Sequence, residues 1–410
     1  MFEAIDSVRA GIAAPKPAAT PLIASRWPVY SEEEIAAVTE VLHSGRVNAL
    51  HHGERCAAFE AGFAELCGLP HAIAMANGTL ALEAALRALG IGPGDEVIVP
   101  ARSFVASASC VVTCGATPVF ADIDPVSQGL TADLVAARVT PRTRAIILVH
   151  LGGYPAAADE IAVLASQLGL KLIEDCAQAH GGTLDGRSVG GFGDAAAFSF
   201  CTDKIISTGG EGGMLVLRDE AVAERAWSLK DHGKDRNAVH TPTTGHGFRW
   251  LHRHFGSNYR LTEMQAAIGL VQLGRLPQSI AARRRNAGAI LSELSGSPAL
   301  RLVRPGDEIG HAYYKFYCFL YPEVLAPRWD RNRIVEEAWH CGIPCQTGIC
   351  PEIYRERAFV DSGIGPARPL PVAHLLGETS LMLPVDPTLD EADSREMGRI
   401  LRAIVDEASR

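Results

Sequence analysis

Lys204 stands in the stretch Phe198–Gly213, FSFCTDKIISTGGEGG, after small and apolar residues and just before a glycine cluster. Ser199, Thr202, Ser207 and Thr208 flank it. Hydroxyls and glycine N–H groups beside a lysine suit an anionic phosphate. A lysine held in such a place can lose its proton and attack an aldehyde, forming a Schiff base. The same residues also describe a solvated lysine beside a turn, since most lysines are surface residues.

A second stretch, Leu170–Gly181 (LKLIEDCAQAHG), runs from a short apolar strand into Glu174 and Asp175, then Gln178 and His180. Carboxylates where a strand gives way to a loop lie on the ligand-binding rim of an open α/β sheet. The two stretches together hold what a pyridoxal phosphate (PLP) enzyme requires. A lysine takes the cofactor aldehyde, and an aspartate keeps the pyridinium nitrogen protonated so that the ring can accept electrons. Asp175 also suits a helix N-cap. It precedes Lys204 by 29 residues, so only the fold can bring the pair together.

The elements that must position them alternate. Ser31–His43 opens with a serine cap and acidic residues, and Glu54–Leu66 has apolar residues at helical spacing. From His71 onward, strands (HAIAM, EVIVP, TPVFA, RAIILVH, LKLIEDC) alternate with helical segments, among them LALEAALRAL and Ala156–Leu168. This order predicts an α/β fold with a parallel or mostly parallel sheet and helices on both faces. Further strands, Ala195–Phe200 and Met214–Leu217, flank the lysine loop. Asn77-Gly78-Thr79 precedes a helix, where backbone N–H groups and the Thr79 hydroxyl suit either a phosphate or a plain N-cap. Phe104 suits the face of a flat ring or the core. Lys230–Gly256 reads as a long irregular loop. It leads through Asn258-Tyr259-Arg260 into the helix MQAAIGLVQL.

Near Pro277 the alternation stops. A helix at Ser279–Leu294, a strand around Tyr313–Leu320 and a helix at Arg331–Trp339 read as a smaller α+β domain. The expected organisation is a loosely ordered arm (1–24), a large cofactor-binding α/β domain (25–276) and a small C-terminal α+β domain (277–410).

Composition narrows the partners. Of 410 residues, 47% are apolar and 21% charged, with a formal charge of −9, which argues against a general nucleic-acid binder. The basic triplet Arg283-Arg284-Arg285 reads as a solvated helix face. Ten cysteines without a CxxC pattern read as small buried residues rather than metal ligands. The acidic N-terminus lacks the basic start of a secretory signal, and no apolar run is long enough to span a membrane. The expectation is a cytoplasmic protein with reduced thiols and no metal.

Five segments in order, NGTLAL (Asn77–Leu82), GDEVIVP with SF (Gly94–Phe104), EDCAQAHG (Glu174–Gly181), FSFCTDKIISTGGEGG (Phe198–Gly213) and NYRLTEMQAAIG (Asn258–Gly269), resemble the DegT/DnrJ/StrS family of PLP-dependent nucleotide-sugar aminotransferases. The resemblance runs from about Trp27 to the C-terminal region. It implies the type I aspartate aminotransferase fold, with Lys204 as the Schiff-base lysine and proton carrier and Asp175 paired with the pyridine nitrogen. It further implies that Phe104 stacks on the ring, that Gly78, Thr79 and Ser199 hold the phosphate, and that Gln178 lies near the ring hydroxyl. Asn258, with Arg260, is expected to reach the phosphate of a neighbouring subunit in a homodimer with composite sites. The implied reaction moves an amino group, by resemblance from glutamate, to a keto-sugar nucleotide.

Relatives that dehydrate sugars carry histidine at the Schiff-base position, and Lys204 argues against that chemistry. A non-catalytic sensor of the same fold would carry an appended DNA-binding segment, and the sequence has none. The segment Arg46–Gly53 (RVNALHHG), with His51 and His52, departs from the family pattern near the substrate. The sugar, the nucleotide and the choice of C3 or C4 stay open.

Overall fold

The computed structural model describes residues 22–241 and 247–409. Its centre is a seven-stranded sheet in the order β1-β9-β8-β5-β4-β2-β3. The strands are β1 (His71–Met75), β2 (Glu96–Pro100), β3 (Thr117–Ala121), β4 (Thr143–Val149), β5 (Lys171–Asp175), β8 (Ala195–Ser199) and β9 (Gly213–Leu217). The neighbours from β3 through β8 run parallel, and β9 alone is antiparallel to β1 and β8. The α/β fold with a mostly parallel sheet is therefore the one expected from the alternation. A small sheet joins β6 (Thr183–Leu184), β7 (Arg187–Ser188) and β11 (Ile309–Gly310).

Near-continuous apolar runs let these strands be buried on both faces. Successive side chains point to opposite sides. Val97, Val99, Ala145, Ile147, Ile173, Ala195 and Ala197 enter one core, with the helices Gly78–Ala88 and Glu220–Lys230. Ile98, Ile146, Leu148 and Leu172 face the helix Ala158–Leu168 on the other side, while Ala74, Ala196, Phe198 and Val216 face the helix Glu54–Cys67.

A second unit packs β10 (Leu300–Leu302), β12 (Phe316–Leu320) and β13 (Ser380–Leu383) with the helices Arg331–His340 and Glu391–Ala408 around Ile290, Phe316, Ile334, Leu383 and Leu401. The helix Leu276–Leu294 crosses between the units. Leu276 and Ile280 enter the large core, and Ala287, Ile290 and Leu294 the small one. It starts before the expected Ser279 because Pro277 is accommodated in its first turn. The strand expected from Tyr313 begins only at Phe316, since Tyr313 has φ +48° and cannot be extended. Arg283 corrects the reading of a solvated triplet. It is 1% exposed, on the inward stripe formed by Ile280, Arg283, Ala287 and Ile290.

Residues 1–21 of the expected arm lie outside the described residues. From Ile23 the chain is anchored, with Ile23 N donating to Gly342 O at 3.1 Å and Arg26 N to Thr388 Oγ1 at 2.9 Å. The expected irregular segment 230–256 contains a short helix, Arg236–His240, and bridges at Asp231–Asn258 and Lys234–His252. No helix among the described residues is long and apolar enough to cross a membrane.

Glu174 fixes the end of β5 to its surroundings. It is fully buried and accepts from His150 Nε2 at 3.0 Å and from the N–H groups of Gly190 (2.8 Å), Phe192 (2.7 Å) and Gly193 (2.7 Å). Burial pushes its carboxyl up, but the His150 hydrogen bond and charge and the backbone donors outweigh it and hold the group below the usual range. Glu174→Gln turns an amide N–H toward those donors and is expected to cost about 2–4 kcal/mol in urea unfolding at neutral pH. A depressed carboxylate contributes stability above its unfolded pKa of about 4.3 and loses it as pH falls through the folded value. The gap between wild type and variant should therefore close in acid, and a gap independent of pH would contradict this role.

Candidate active site

The register of the sheet gathers one rim. Met75 pairs with Gly213, and Gly213 with Ser199, while Ala197 pairs with Asp175. The ends of β1, β8 and β5 thus lie side by side, and the loops beyond them carry Asn77–Thr79, Lys204 and Gln178. Packing here is tight. A Cβ on Gly78 would lie 2.7 Å from Ser199 Cβ, and one on Gly213 would lie 2.4 Å from the carbonyl carbon of Asn77. Only glycine allows these approaches. Asn77 Oδ1 caps the following helix by accepting from Leu80 N at 2.9 Å, and the N–H groups of Gly78 and Thr79 have no intrahelical partner.

Asp175, the last residue of β5, is 6% exposed. Its Oδ2 accepts from Ser107 Oγ at 2.7 Å and its Oδ1 from Ala177 N at 3.1 Å. Burial pushes its carboxyl above the usual range, opposed by those hydrogen bonds and by the charge of nearby Lys204. Ser107 in turn meets Ser103 Oγ at 2.8 Å. Phe104 lies between these serines and is 59% exposed, which removes the core alternative for it. Gln178 is buried, and its Oε1 accepts from Gly152 N at 2.7 Å. His180 is packed against Phe63, Phe198 and Phe200; burial first, then the charges of Lys204 and Arg283, push its pKa down to about 3.

The lysine loop is closed on itself. Phe200 N donates to Gly212 O at 2.8 Å and Thr208 N to Phe200 O at 3.2 Å. Three of the four hydroxyls around Lys204 are already engaged, two within the loop and one outside it. Thr202 donates to Gly210 O (3.3 Å), Thr208 to Glu211 O (2.7 Å), and Ser207 pairs with Tyr30 (3.0 Å). Ser199 Oγ accepts from Cys201 N at 3.4 Å and, facing Gly78, keeps its own hydrogen to donate. Lys204 Nζ lies 3.7 Å from Asp203 Oδ1 and 5.0 Å from the ring centroid of Tyr314, whose hydroxyl donates to Asp203 Oδ2. Trp27 Nε1 donates to Lys204 O at 2.8 Å.

Asn258 and Arg260 lie elsewhere in the chain's contacts. Their segment runs beside the end of β1, with Ala76 N donating to Tyr259 O at 2.8 Å and a bridge between Met75 and Arg260. Arg260 Nη1 bonds Asp231 Oδ1 at 2.8 Å, as does Lys234, and Asn258 is exposed. No hydrogen bond or ion pair among the described residues joins either to Lys204. The side chains of His51 and His52 lie outside the described residues.

Trp27, Ser107, Asp203 and Tyr314 are absent from the expected site. Asp203 adjoins the lysine and Ser107 follows Phe104 by one helical turn, so both were within reach of local reasoning. Trp27 and Tyr314 come from segments more than a hundred residues away, and no local pattern marks them.

Known proteins are similar to this chain over most of their length. The GDP-perosamine synthase of Caulobacter vibrioides is 38% identical over 351 residues, 84% of this chain and 88% of that protein. The dTDP-3-amino-3,4,6-trideoxy-alpha-D-glucose transaminase of Streptomyces venezuelae is 35% identical over 92% of this chain and 93% of its own. Among solved structures, an aminotransferase from Psychrobacter cryohalolentis superposes with a TM-score of 0.91 at 45% identity, covering 94% of this chain and all of that one. The family model for the DegT/DnrJ/EryC1/StrS aminotransferases matches residues 28–402, and the chain belongs to that family.

Proposed function

We propose that this aminotransferase uses PLP, held by Lys204 at the rim of the sheet, to move an amino group from glutamate to a keto-sugar nucleotide, for amino-sugar or surface polysaccharide biosynthesis, including lipopolysaccharide. The observation that carries the reading is the convergence of a lysine, a buried carboxylate and a glycine-walled helix start on one rim. The residues fit the cofactor. Asp175 is a buried carboxylate with two hydrogen bonds among the described residues, suited to a protonated ring nitrogen. The free N–H groups of Gly78 and Thr79 and the Ser199 hydroxyl suit a phosphate. When bound, PLP supplies an aldehyde carbon that takes and returns the amino group and a ring that accepts electrons.

Each side chain then has one task. Lys204 Nζ would anchor the cofactor and would carry a proton to and from the substrate carbon. Asp175, oriented by Ser107, keeps a positive charge in place at the ring nitrogen. Phe104 offers its face to the ring, and Gln178, held by Gly152, offers its amide near the ring hydroxyl. The substrates named for the relatives, GDP- and dTDP-linked sugars, support a nucleotide-linked acceptor. The large unit (25–276) is the cofactor-binding body, and the small unit (277–410) packs over it. We further propose a cytoplasmic homodimer in which Asn258, on a segment that Arg260 pins to Asp231, reaches the cofactor phosphate of the partner subunit.

Lys204→Ala should abolish transamination of keto-sugar nucleotides with glutamate, a loss of at least ~10²–10⁴ from the proton-carrying role alone. Wild-type turnover in this variant would end the reading. Asp175→Asn should fold, by circular dichroism and Tm, yet retain about 1% of activity or less; an unfolded variant with intact specific activity would make Asp175 a structural cap. Mixing Lys204→Ala with Asn258→Ala and allowing subunit exchange should restore activity through one hybrid site with both residues intact. No restoration after proven exchange, or a monomer by light scattering, contradicts the composite site.

A further inference from the structure

The lysine assigned above is not alone in its charge environment. Asp203 Oδ1 lies 3.7 Å from Lys204 Nζ, and the Tyr314 hydroxyl holds the other carboxylate oxygen. The face of the same Tyr314 ring lies 5.0 Å from Nζ, a cation–π distance. The backbone beneath is fixed by Trp27 on Lys204 O (2.8 Å) and by Gln272 Oε1, which accepts from Ser207 N at 3.1 Å. The pair is therefore set by a closed loop and by three other segments.

The other charged groups near Lys204 come from several elements. Asp175 at the end of β5 is a second carboxyl group near Lys204, whose charge opposes the upward push of burial on it. Lys315, just before β12, places its Nζ 5.0 Å from the centroid of the same Tyr314 ring and has no ion-pair or hydrogen-bond partner for it among the described residues. Arg283, from the helix Leu276–Leu294, is buried and spends Nη1 on the carbonyls of Tyr313 (3.4 Å) and Tyr314 (3.3 Å); Asp386 acts on both Arg283 and Lys315. His180 is held neutral by its burial. Two cations without a direct carboxylate partner thus lie beside Tyr314, and Asp203 is the carboxylate that the Tyr314 hydroxyl holds next to Lys204 Nζ.

We propose that Asp203, latched by Tyr314, is a positioning residue that supports the protonated form of the Lys204 nitrogen. This rests on the reading of Lys204 as the cofactor-bearing lysine. Transamination asks that nitrogen both to accept a proton and to surrender it. A carboxylate at 3.7 Å is beyond hydrogen-bond range. It supports the ammonium form by charge without capturing the nitrogen in a fixed bond. The Tyr314 hydroxyl keeps the carboxylate, whose side chain is 56% exposed, from swinging onto the amine.

The test uses the PLP-loaded protein and the pH dependence of its visible absorption band, which follows protonation at the lysine nitrogen. An anion beside a cation favours the protonated form, so Asp203→Asn should move the midpoint to lower pH by about one unit. Asp203→Glu, which keeps the charge, should restore most of the shift, and Tyr314→Phe, which keeps the carboxylate but frees it, should fall between. In the glutamate half-reaction the effect of Asp203→Asn should fall on kcat, with KM changed by less than about twofold. A midpoint that stays or rises in Asp203→Asn overturns the proposal, as does a loss carried wholly by KM. Lys204→Ala separates the two readings. If it keeps the wild-type band, the assignment of Lys204 fails and this proposal with it; if it loses the band while Asp203→Asn does not move the midpoint, only the role of Asp203 fails.

Discussion

A carboxylate buried at the end of a strand has to be answered by positive charge. Asp175 is almost fully enclosed, with one hydroxyl and one backbone N–H on its oxygens, and burial alone drives it toward the neutral acid. A carboxylate in that position is weak as a stabiliser and strong as a partner for a cation that arrives later. The surroundings are arranged for such a guest. Ser107 aims the carboxylate, the glycine-walled start of the helix Gly78–Ala88 opens beside it, and the closed loop that carries Lys204 ends on the neighbouring strand.

The sheet register turns these separate parts into one site. Because Met75, Gly213 and Ser199 lie in line, the loops after β1 and β8 cannot drift relative to one another. The side-by-side pairing of Ala197 and Asp175 adds the acid to the same row. Small residues make the close approach possible. Gly78 against Ser199 and Gly213 against Asn77 leave no room for a Cβ. The rim is thus built by packing in the large core before any ligand chemistry is considered.

How much of this was legible in the sequence depended on how local the signal was. The strand–helix alternation, the lysine loop and the strand that ends at Asp175 are written in consecutive residues, and the fold class followed from them. Glu174 and Asp175 looked alike because they are adjacent carboxylates. The pleat separates them, sending Glu174 to three backbone donors and a buried histidine, and Asp175 to Ser107 on the opposite side. Arg283 looked solvated as one of three arginines, and only the helical phase turns it inward while its neighbours stay outside. Trp27 and Tyr314 were illegible, since each meets the lysine loop across more than a hundred residues. Arg260 bonds Asp231 in its own chain, beside the bridge between Asp231 and Asn258, contacts that no local pattern marks.

The account stands on one covalent assignment, that the cofactor is carried by Lys204. The chain has six lysines, at 16, 171, 204, 230, 234 and 315. Borohydride reduction of the PLP-loaded protein makes the lysine–cofactor bond permanent, and peptide mass mapping then locates it. The account predicts the phosphopyridoxyl mass on the peptide that contains Lys204, at close to one per chain, and on no other. Its appearance on Lys315 or Lys230 instead, or an even spread over several lysines, would contradict it.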